Sequence, residues 1–261
     1  MSGLTMQVFY LGHMYFERFR LIQTEDETAM IRSPAVAILI RHPKLGNILY
    51  DTGNASNFKD CYPPHVQEAY PVHEFISIED ALKAHGLTPG DIDLLVLSHL
   101  HFDHAGGLKY FCHTKAGKNI LVNKEELIEA LMSVYTVQET PHGAYVKSLF
   151  DLDGILFHPI EGALELAEDL ILFPMQSHTP GVLGMLIKTE HQGNIICVSD
   201  TLYIADSYEK GLPPGGTINK TTTEFFDNLA RIKEMQEKYN ATILFGHDYD
   251  QVLAWSREII D

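Results

Sequence analysis

Ser98-His99-Leu100-His101-Phe102-Asp103-His104-Ala105-Gly106-Gly107 directly follows the apolar run Leu94-Leu-Val-Leu97, and it decides how the rest of the chain is read. In extended backbone, residues two apart project to the same side, so His99 and His101 can grip one metal ion like a fork. If the chain then turns, Asp103 and His104 swing round to a second ion. The small residues Ala105, Gly106 and Gly107 allow a tight backbone path beside the metals. A single histidine is more often a solvated or hydrogen-bonded side chain than a ligand. Three histidines and one aspartate within six positions at a strand end are different, because without a cation they leave polar groups half-buried and uncompensated.

Four ligands do not complete two sites, and the sequence offers more at later strand ends. Gln176-Ser-His178-Thr-Pro-Gly181 follows the run Leu170 to Pro174. Val198-Ser-Asp200 ends the run from Ile195, and Phe245-Gly-His247-Asp248 ends the run from Thr242. Each polar residue sits where an apolar strand stops, the usual place for a site on an α/β scaffold.

Strands are expected at Gln7 to Leu11, Ala35 to Ile40, Ile48 to Asp51, Leu94 to Ser98, Ile120 to Val122, Leu170 to Pro174, Leu183 to Thr189, Ile195 to Ser199 and Thr242 to Phe245. Several are apolar on both faces, which fits sheets covered by helices on one side and by a second sheet on the other. Ser77-Ile-Glu-Asp80 opens a helix that Gly86 closes. Lys124 to Met132 is a second helix, with Leu127, Ile128 and Leu131 as its inward stripe. Thr223 to Tyr239 is a third, with Phe225, Leu229, Ile232, Met235 and Tyr239 inward and Lys233 and Glu237 facing water. Asn54 to Glu74 and Ala205 to Thr222 read as irregular, and long loops in a compact domain often serve as lids.

The chain has 261 residues and 45% hydrophobic composition, enough for a substantial core, and its elements interlock from residue 8 to residue 248. A single domain over 1–261 is expected. Net charge is -16, from 35 acidic and 19 basic side chains, a field that repels phosphate backbones and anionic lipid, so no nucleic-acid or membrane partner is expected. No apolar run approaches the roughly 20 residues of a membrane span, and Met1 to Phe9 lacks a signal-peptide pattern, which predicts a cytoplasmic protein. Cys61, Cys112 and Cys197 are scattered without CxxC spacing and predict free thiols.

The H-x-H-x-D-H run, with His178, Asp200, His247 and the early Asp51-Thr-Gly53, resembles the metallo-β-lactamase superfamily over nearly the whole chain. The resemblance implies an α/β fold, an αβ/βα four-layer sandwich of two mixed sheets flanked by helices. It also implies a dinuclear site: His99, His101 and His178 on the first metal, Asp103, His104 and His247 on the second, Asp200 bridging, and Asp51 orienting a ligand or the motif loop. The best-known β-lactamases of the family carry cysteine where Asp200 stands. Flavodiiron proteins place Glu in the motif and carry a flavin domain, and the RNA-processing nucleases carry large insertions or basic arms, so hydrolysis of a small molecule remains.

Within the superfamily the chain is similar to lactone hydrolases such as the N-acyl-homoserine lactonases. The shared features are Ser98 to Gly107, Gly246-His-Asp248 and a tyrosine three residues after the bridging aspartate, Tyr203. Glyoxalase II, a thioester hydrolase, is the alternative, but it follows its core with a helical domain for which little chain remains after His247. A non-catalytic metal-binding or sensory protein on the same fold is the other. One departure stands out: lactonases usually read T-P-G-H with the histidine last, whereas here it comes first, in His178-Thr-Pro-Gly181.

The resemblance implies a small lactone substrate, an N-acyl-homoserine lactone of the quorum-quenching type among the possibilities, opened by a hydroxide bridging two metals. Tyr203 would donate its O–H to the carbonyl or oxyanion and Asp103 would protonate the departing alkoxide. Zinc is favoured by the His-rich set, while Fe, Mn and Co also suit histidine plus carboxylate. Phe58, Tyr62, Tyr70 and Phe75 are candidate pocket walls. The other histidines read as surface or loop residues, with His13 and His142 placed where they could line a cleft.

Overall fold

Strands form where aliphatic and β-branched residues run together. In the computed structural model, which describes residues 3–136, 144–215 and 222–261, they are β1 (Thr5–Glu17), β2 (Met30–His42), β3 (Gly46–Tyr50), β4 (Val72–His73), β5 (Leu94–Val96), β6 (Ile120–Asn123), β7 (Phe157–Ile160), β8 (Leu164–Ala167), β9 (Leu170–Pro174), β10 (Leu183–Lys188), β11 (Asn194–Cys197) and β12 (Ala241–Leu244). The helices are α1 (Phe58–Cys61), α2 (Pro64–Ala69), α3 (Ile78–Ala84), α4 (Phe102–Ala105), α5 (Lys124–Tyr135), α6 (Lys147–Phe150), α7 (Ala205–Lys210), α8 (Thr222–Tyr239) and α9 (Tyr249–Trp255).

Two sheets result, ordered β4-β1-β2-β3-β5-β6-β7 and β12-β11-β10-β9-β8. Both are mixed: β3, β5, β6 and β7 pair in parallel, as do β11 and β12, and the other pairs are antiparallel. Strands apolar on both faces explain the layering. Met6, Val8, Ile38, Ile40, Ile48 and Val96 of the first sheet meet Leu170, Leu172, Met185, Ile187, Ile195 and Leu244 of the second in one buried cluster. The opposite face of the first sheet packs Leu39, Leu49, Leu95 and Ile120 on Ile78 and Leu82 of α3 and Ala130 of α5. The opposite face of the second packs Leu186, Ile196 and Ile243 on Phe225, Leu229 and Ile232 of α8. Helix, sheet, sheet, helix is the αβ/βα sandwich the sequence led us to expect. No helix among the described residues is long and apolar enough to cross a membrane.

Several expectations need correction. The expected stripe of α5 holds only in part: Leu127 packs against the core, but Ile128 and Leu131 are exposed, and the fully buried positions are Glu126 and Ala130. The supposedly irregular stretch from Asn54 to Glu74 contains α1, α2 and β4, and α7 occupies the start of the second; 216–221 lie outside the described residues. His13 and His42 are buried, not surface residues. His42 accepts the backbone N–H groups of Lys44 and Leu45 at Nδ1 and donates from Nε2 to Asp169, which fixes its neutral tautomer and ties β2 to the second sheet. His142 lies outside the described residues. The cysteines are free thiols, as expected.

Candidate metal centre

The donors all sit just past the C-terminal ends of strands, drawn from both sheets. Asp51 follows β3, His99 to His104 follow β5, His178 follows β9, Asp200 follows β11 and His247 follows β12. The seam between the two sheets therefore gathers residues far apart in sequence. Getting Asp103 and His104 there requires the turn that becomes α4, and α4 lies hard against the loop after β3. A Cβ at Gly106 would fall 2.3 Å from the backbone nitrogen of Ala55 and 2.5 Å from the carbonyl carbon of Asn54. Gly106→Ala should therefore lower stability by about 1–3 kcal/mol or more through overpacking against backbone. Thermal unfolding checks it; an unchanged Tm would show that the loop yields freely.

All the ligand candidates are buried: His99, His101, Asp103, His104, His178, Asp200 and His247 each lie below a tenth exposure. Their ligand atoms fall into three overlapping groups, His99/His101/His178, His99/His104/Asp200 and Asp103/His104/His247, each within 4.8 Å. Asp200 faces both ways. Its Oδ1 lies 3.0 Å from His247 Nε2 and 3.2 Å from His104 Nε2, while Oδ2 lies 3.3 Å from His178 Nε2 and 3.6 Å from His99 Nε2. His178 reaches this cluster although its loop reads differently from the lactonase pattern, and its Nε2 lies 2.8 Å from His101 Nδ1.

The far nitrogens of the rings explain why the Nε2 atoms face inward. His247 Nδ1 lies 3.0 Å from the Pro34 carbonyl, which only accepts, so Nδ1 carries a proton and Nε2 is the nitrogen turned to the cluster. The Ser98 hydroxyl donates to Asp51 Oδ2, at 2.7 Å, and so accepts from His99 Nδ1 at 3.0 Å. His104 Nδ1 donates to the same Asp51 oxygen at 2.8 Å. Asp51 also accepts the Ser98 backbone N–H at 2.7 Å, holding the motif loop and a donor ring at once, and it does so from a left-handed backbone with φ 61°. In a metal site such outer contacts fix tautomer and ring direction.

Does this donor set fit divalent cations? Two observations say so. The Nε2 atom of His99 is buried and accepts no hydrogen bond, an arrangement that costs free energy unless something occupies its lone pair. The carboxylates also draw strongly on positive charge. Burial pushes His99 well below the ordinary imidazole range, and the charge of His104 adds to this, so His99 stays neutral. Burial opposes ionisation of Asp200 too, yet His104, His247, His99 and His178 hold it well below the usual carboxylate range. Burial likewise works against protonated His104, but Asp200, Asp103 and Asp51 raise it well above 6.5. The aspartates thus need positive charge nearby, supplied by protons on histidine or by metal cations.

A narrow cleft of about 40 Å³ opens onto the cluster. Met14, Phe16, Leu21, Tyr70, Phe102 and Ala144 form its apolar wall, with Arg20 as the cation among the lining residues. Of the expected wall residues only Tyr70 lines it. Tyr62 is buried, its hydroxyl within 3.0 Å of Ala55 N–H and the Phe102 carbonyl, and Phe58 and Phe75 pack on each other. Met14 and Phe16 carried a signal in the sequence, since the alternation Met14-Tyr15-Phe16 puts two apolar side chains on one face of β1, with Tyr15 exposed on the other. Tyr203 is buried with its hydroxyl 2.7 Å from His178 Nδ1, and burial raises its phenol well above 10, with Asp200 adding to it.

Four layers with a His/Asp cluster at the sheet seam define a metal-dependent hydrolase scaffold. The chain belongs to the Metallo-beta-lactamase superfamily, whose family model matches residues 30–247. It is 31% identical to an N-acyl homoserine lactonase from a Bacillus species over 79% of this chain and 78% of that protein. It is 28% identical to the N-acyl homoserine lactonase AiiB of Agrobacterium fabrum over 85% and 82%. Among solved structures it is similar, at TM-score 0.83 and 25% identity with both chains fully covered, to an N-acyl homoserine lactone hydrolase with the product N-hexanoyl-L-homoserine bound at the catalytic metal centre.

Proposed function

We propose that this chain is a dinuclear metal-dependent lactonase of one domain, opening the ester ring of an N-acyl-homoserine lactone. The observation that carries the reading is Asp200, whose two oxygens face two different sets of histidine nitrogens. One ion would be held by His99, His101 and His178, a second by Asp103, His104 and His247, with Asp200 shared; zinc suits this set. The lactonase relatives support the substrate class. Two such ions supply Lewis acidity and bring the pKa of a bound water toward neutrality, so no nucleophilic side chain is needed.

The chain's own residues do the rest. With His178 Nε2 turned to a cation, its Nδ1 bears the proton and donates to the Tyr203 oxygen, so the phenol proton is left to donate to the ester carbonyl oxygen as charge develops there. Burial keeps that phenol protonated. Asp103, grouped with His104 and His247, is the carboxylate placed to relay a proton to the departing alkoxide. Met14, Phe16, Leu21, Tyr70 and Phe102 are the apolar side chains beside the cluster against which an acyl chain would lie.

The test is a screen of metal-replete protein against N-acyl-homoserine lactones, other lactones, thioesters, phosphodiesters and β-lactams. Preferential ring opening of acyl-homoserine lactones is expected. Thioester preference would move the assignment to a glyoxalase II-type activity, and silence across all classes to a binding protein. Tyr203→Phe should keep two metals per chain and lower kcat/KM for the best lactone about 10²-fold, the lower end for losing one oxyanion donor. An unchanged kcat/KM on every lactone would remove Tyr203 from the mechanism.

A further inference from the structure

Glu126 is the one acidic side chain on the inward face of α5, fully buried. Its carboxylate is met by three neutral donors from three separate segments. Oε1 accepts the backbone N–H of Leu100 at 2.9 Å and the hydroxyl of Tyr145 at 2.9 Å, and Oε2 accepts the hydroxyl of Thr179. Leu100 sits between His99 and His101, and Thr179 directly follows His178. The ring of Tyr145 packs edge-on to His101 with centroids 4.6 Å apart. Glu126 therefore touches every segment that carries the His99/His101/His178 group. The approach is close: a Cβ at Gly181 would fall 2.3 Å from the Glu126 backbone nitrogen. The other group is tethered differently, His104 by Asp51 and His247 by Pro34 and Ser33.

We propose that Glu126 is a positioning residue for the first metal, its carboxylate tying the His99–His101 loop to the His178 loop so that three imidazoles converge on one ion. The inference rests on the reading that these three histidines share an ion. Hydrogen bonds to a buried carboxylate are charge-assisted and directional, and outer contacts of this kind set metal affinity by about 10–100-fold. Because Asp51, Ser33 and Pro34 hold the second group, the effect of Glu126 falls on one ion and spares the other.

The experiment titrates stripped full-length protein with Co²⁺, following visible absorption in competition with a chelator, so the readout is metal affinity and not turnover. Wild type is expected to bind in two steps. Glu126→Ala should weaken one step about 10–100-fold and leave the other within about twofold, while His104→Ala weakens the opposite step. Glu126→Gln should recover most of the lost affinity, since its amide oxygen can still accept from Leu100 and Tyr145 and the Thr179 hydroxyl can turn to accept from the amide nitrogen. Should Glu126→Ala not fold, Thr179→Val, which removes only the Oε2 donor, must weaken the same step. Both steps unchanged in a folded Glu126→Ala or Thr179→Val variant, equal weakening of both steps, or Glu126→Gln binding as poorly as Glu126→Ala would each overturn the proposal. A wild type that binds a single ion would end the dinuclear reading alone; Glu126 is then judged on that one step, weakened in Thr179→Val if the proposal holds and unchanged if it does not.

Discussion

Asp200→Ala is expected to lose most of one metal per chain and about 10³-fold or more of kcat/KM, the upper part of the about 10²–10⁴-fold range for single positioned acid–base groups or above it, because two ions lose their shared ligand at once. The geometry gives the reason. Oδ1 stands 3.0 and 3.2 Å from His247 and His104 nitrogens and Oδ2 3.3 and 3.6 Å from His178 and His99, so one side chain spans both donor groups. Removing it also deletes the buried negative charge that offsets cations in a dry site. The fold should survive, because the inter-sheet cluster of Val8, Ile40, Leu172 and Ile187 does not depend on the site. Metal analysis, circular dichroism and lactone kinetics on one preparation separate these effects. Asp200→Cys should not restore turnover fully, since a thiolate offers one atom where the carboxylate offers two. A variant lacking the carboxylate yet holding two metals with normal turnover would end the bridging assignment.

The central strands and the candidate donor residues that cluster were legible because both are local signals. Ala35-Val-Ala-Ile-Leu-Ile40 must be a strand buried on two faces, and a polar residue at the end of such a run has few other reasons to be there. The strands that escaped were β4, β7 and β8, and each is the edge of its sheet. Edges bury one side at most and tolerate residues that central strands reject, such as Pro159 in β7. The stripe of α5 failed in part for the converse reason. Sequence reasoning turns the large apolar side chains Ile128 and Leu131 inward, but the loops after β5 and β9 come up against α5 with donors that need an acceptor. Glu126 meets that need, and nothing within α5 itself announces it. The wall of the cleft was legible only in its first piece: Met14 and Phe16 alternate in β1, but they meet Leu21 and Phe102 only after three segments pack.

Stripping the metals should abolish lactone turnover and lower the melting temperature by about 10 °C or more, with both restored on reloading. The activity loss follows from the side chains: no cysteine is among the residues lining the cleft, and its one serine, Ser33, meets His247 at Nδ1, the nitrogen whose proton goes to the Pro34 carbonyl, so that ring has no lone pair there to take the serine proton. Without the acidified water the ester has no attacking group. The stability loss follows from linkage. Ions that bind the folded donors and not the unfolded chain stabilise by about 2.7 kcal/mol each at a hundredfold excess over Kd, so two contribute about 5 kcal/mol. At about 2–4 °C per kcal/mol for a chain of this size, that is a shift of about 10–20 °C. Removal leaves Asp103 and Asp200 buried with only histidine protons for compensation, so the cluster is strained as well as empty of its organising charge. Thermal unfolding and elemental analysis of the same stripped, reloaded and untreated samples check both halves. Turnover persisting at less than a tenth of an ion per chain would show that the histidines and aspartates serve some other end.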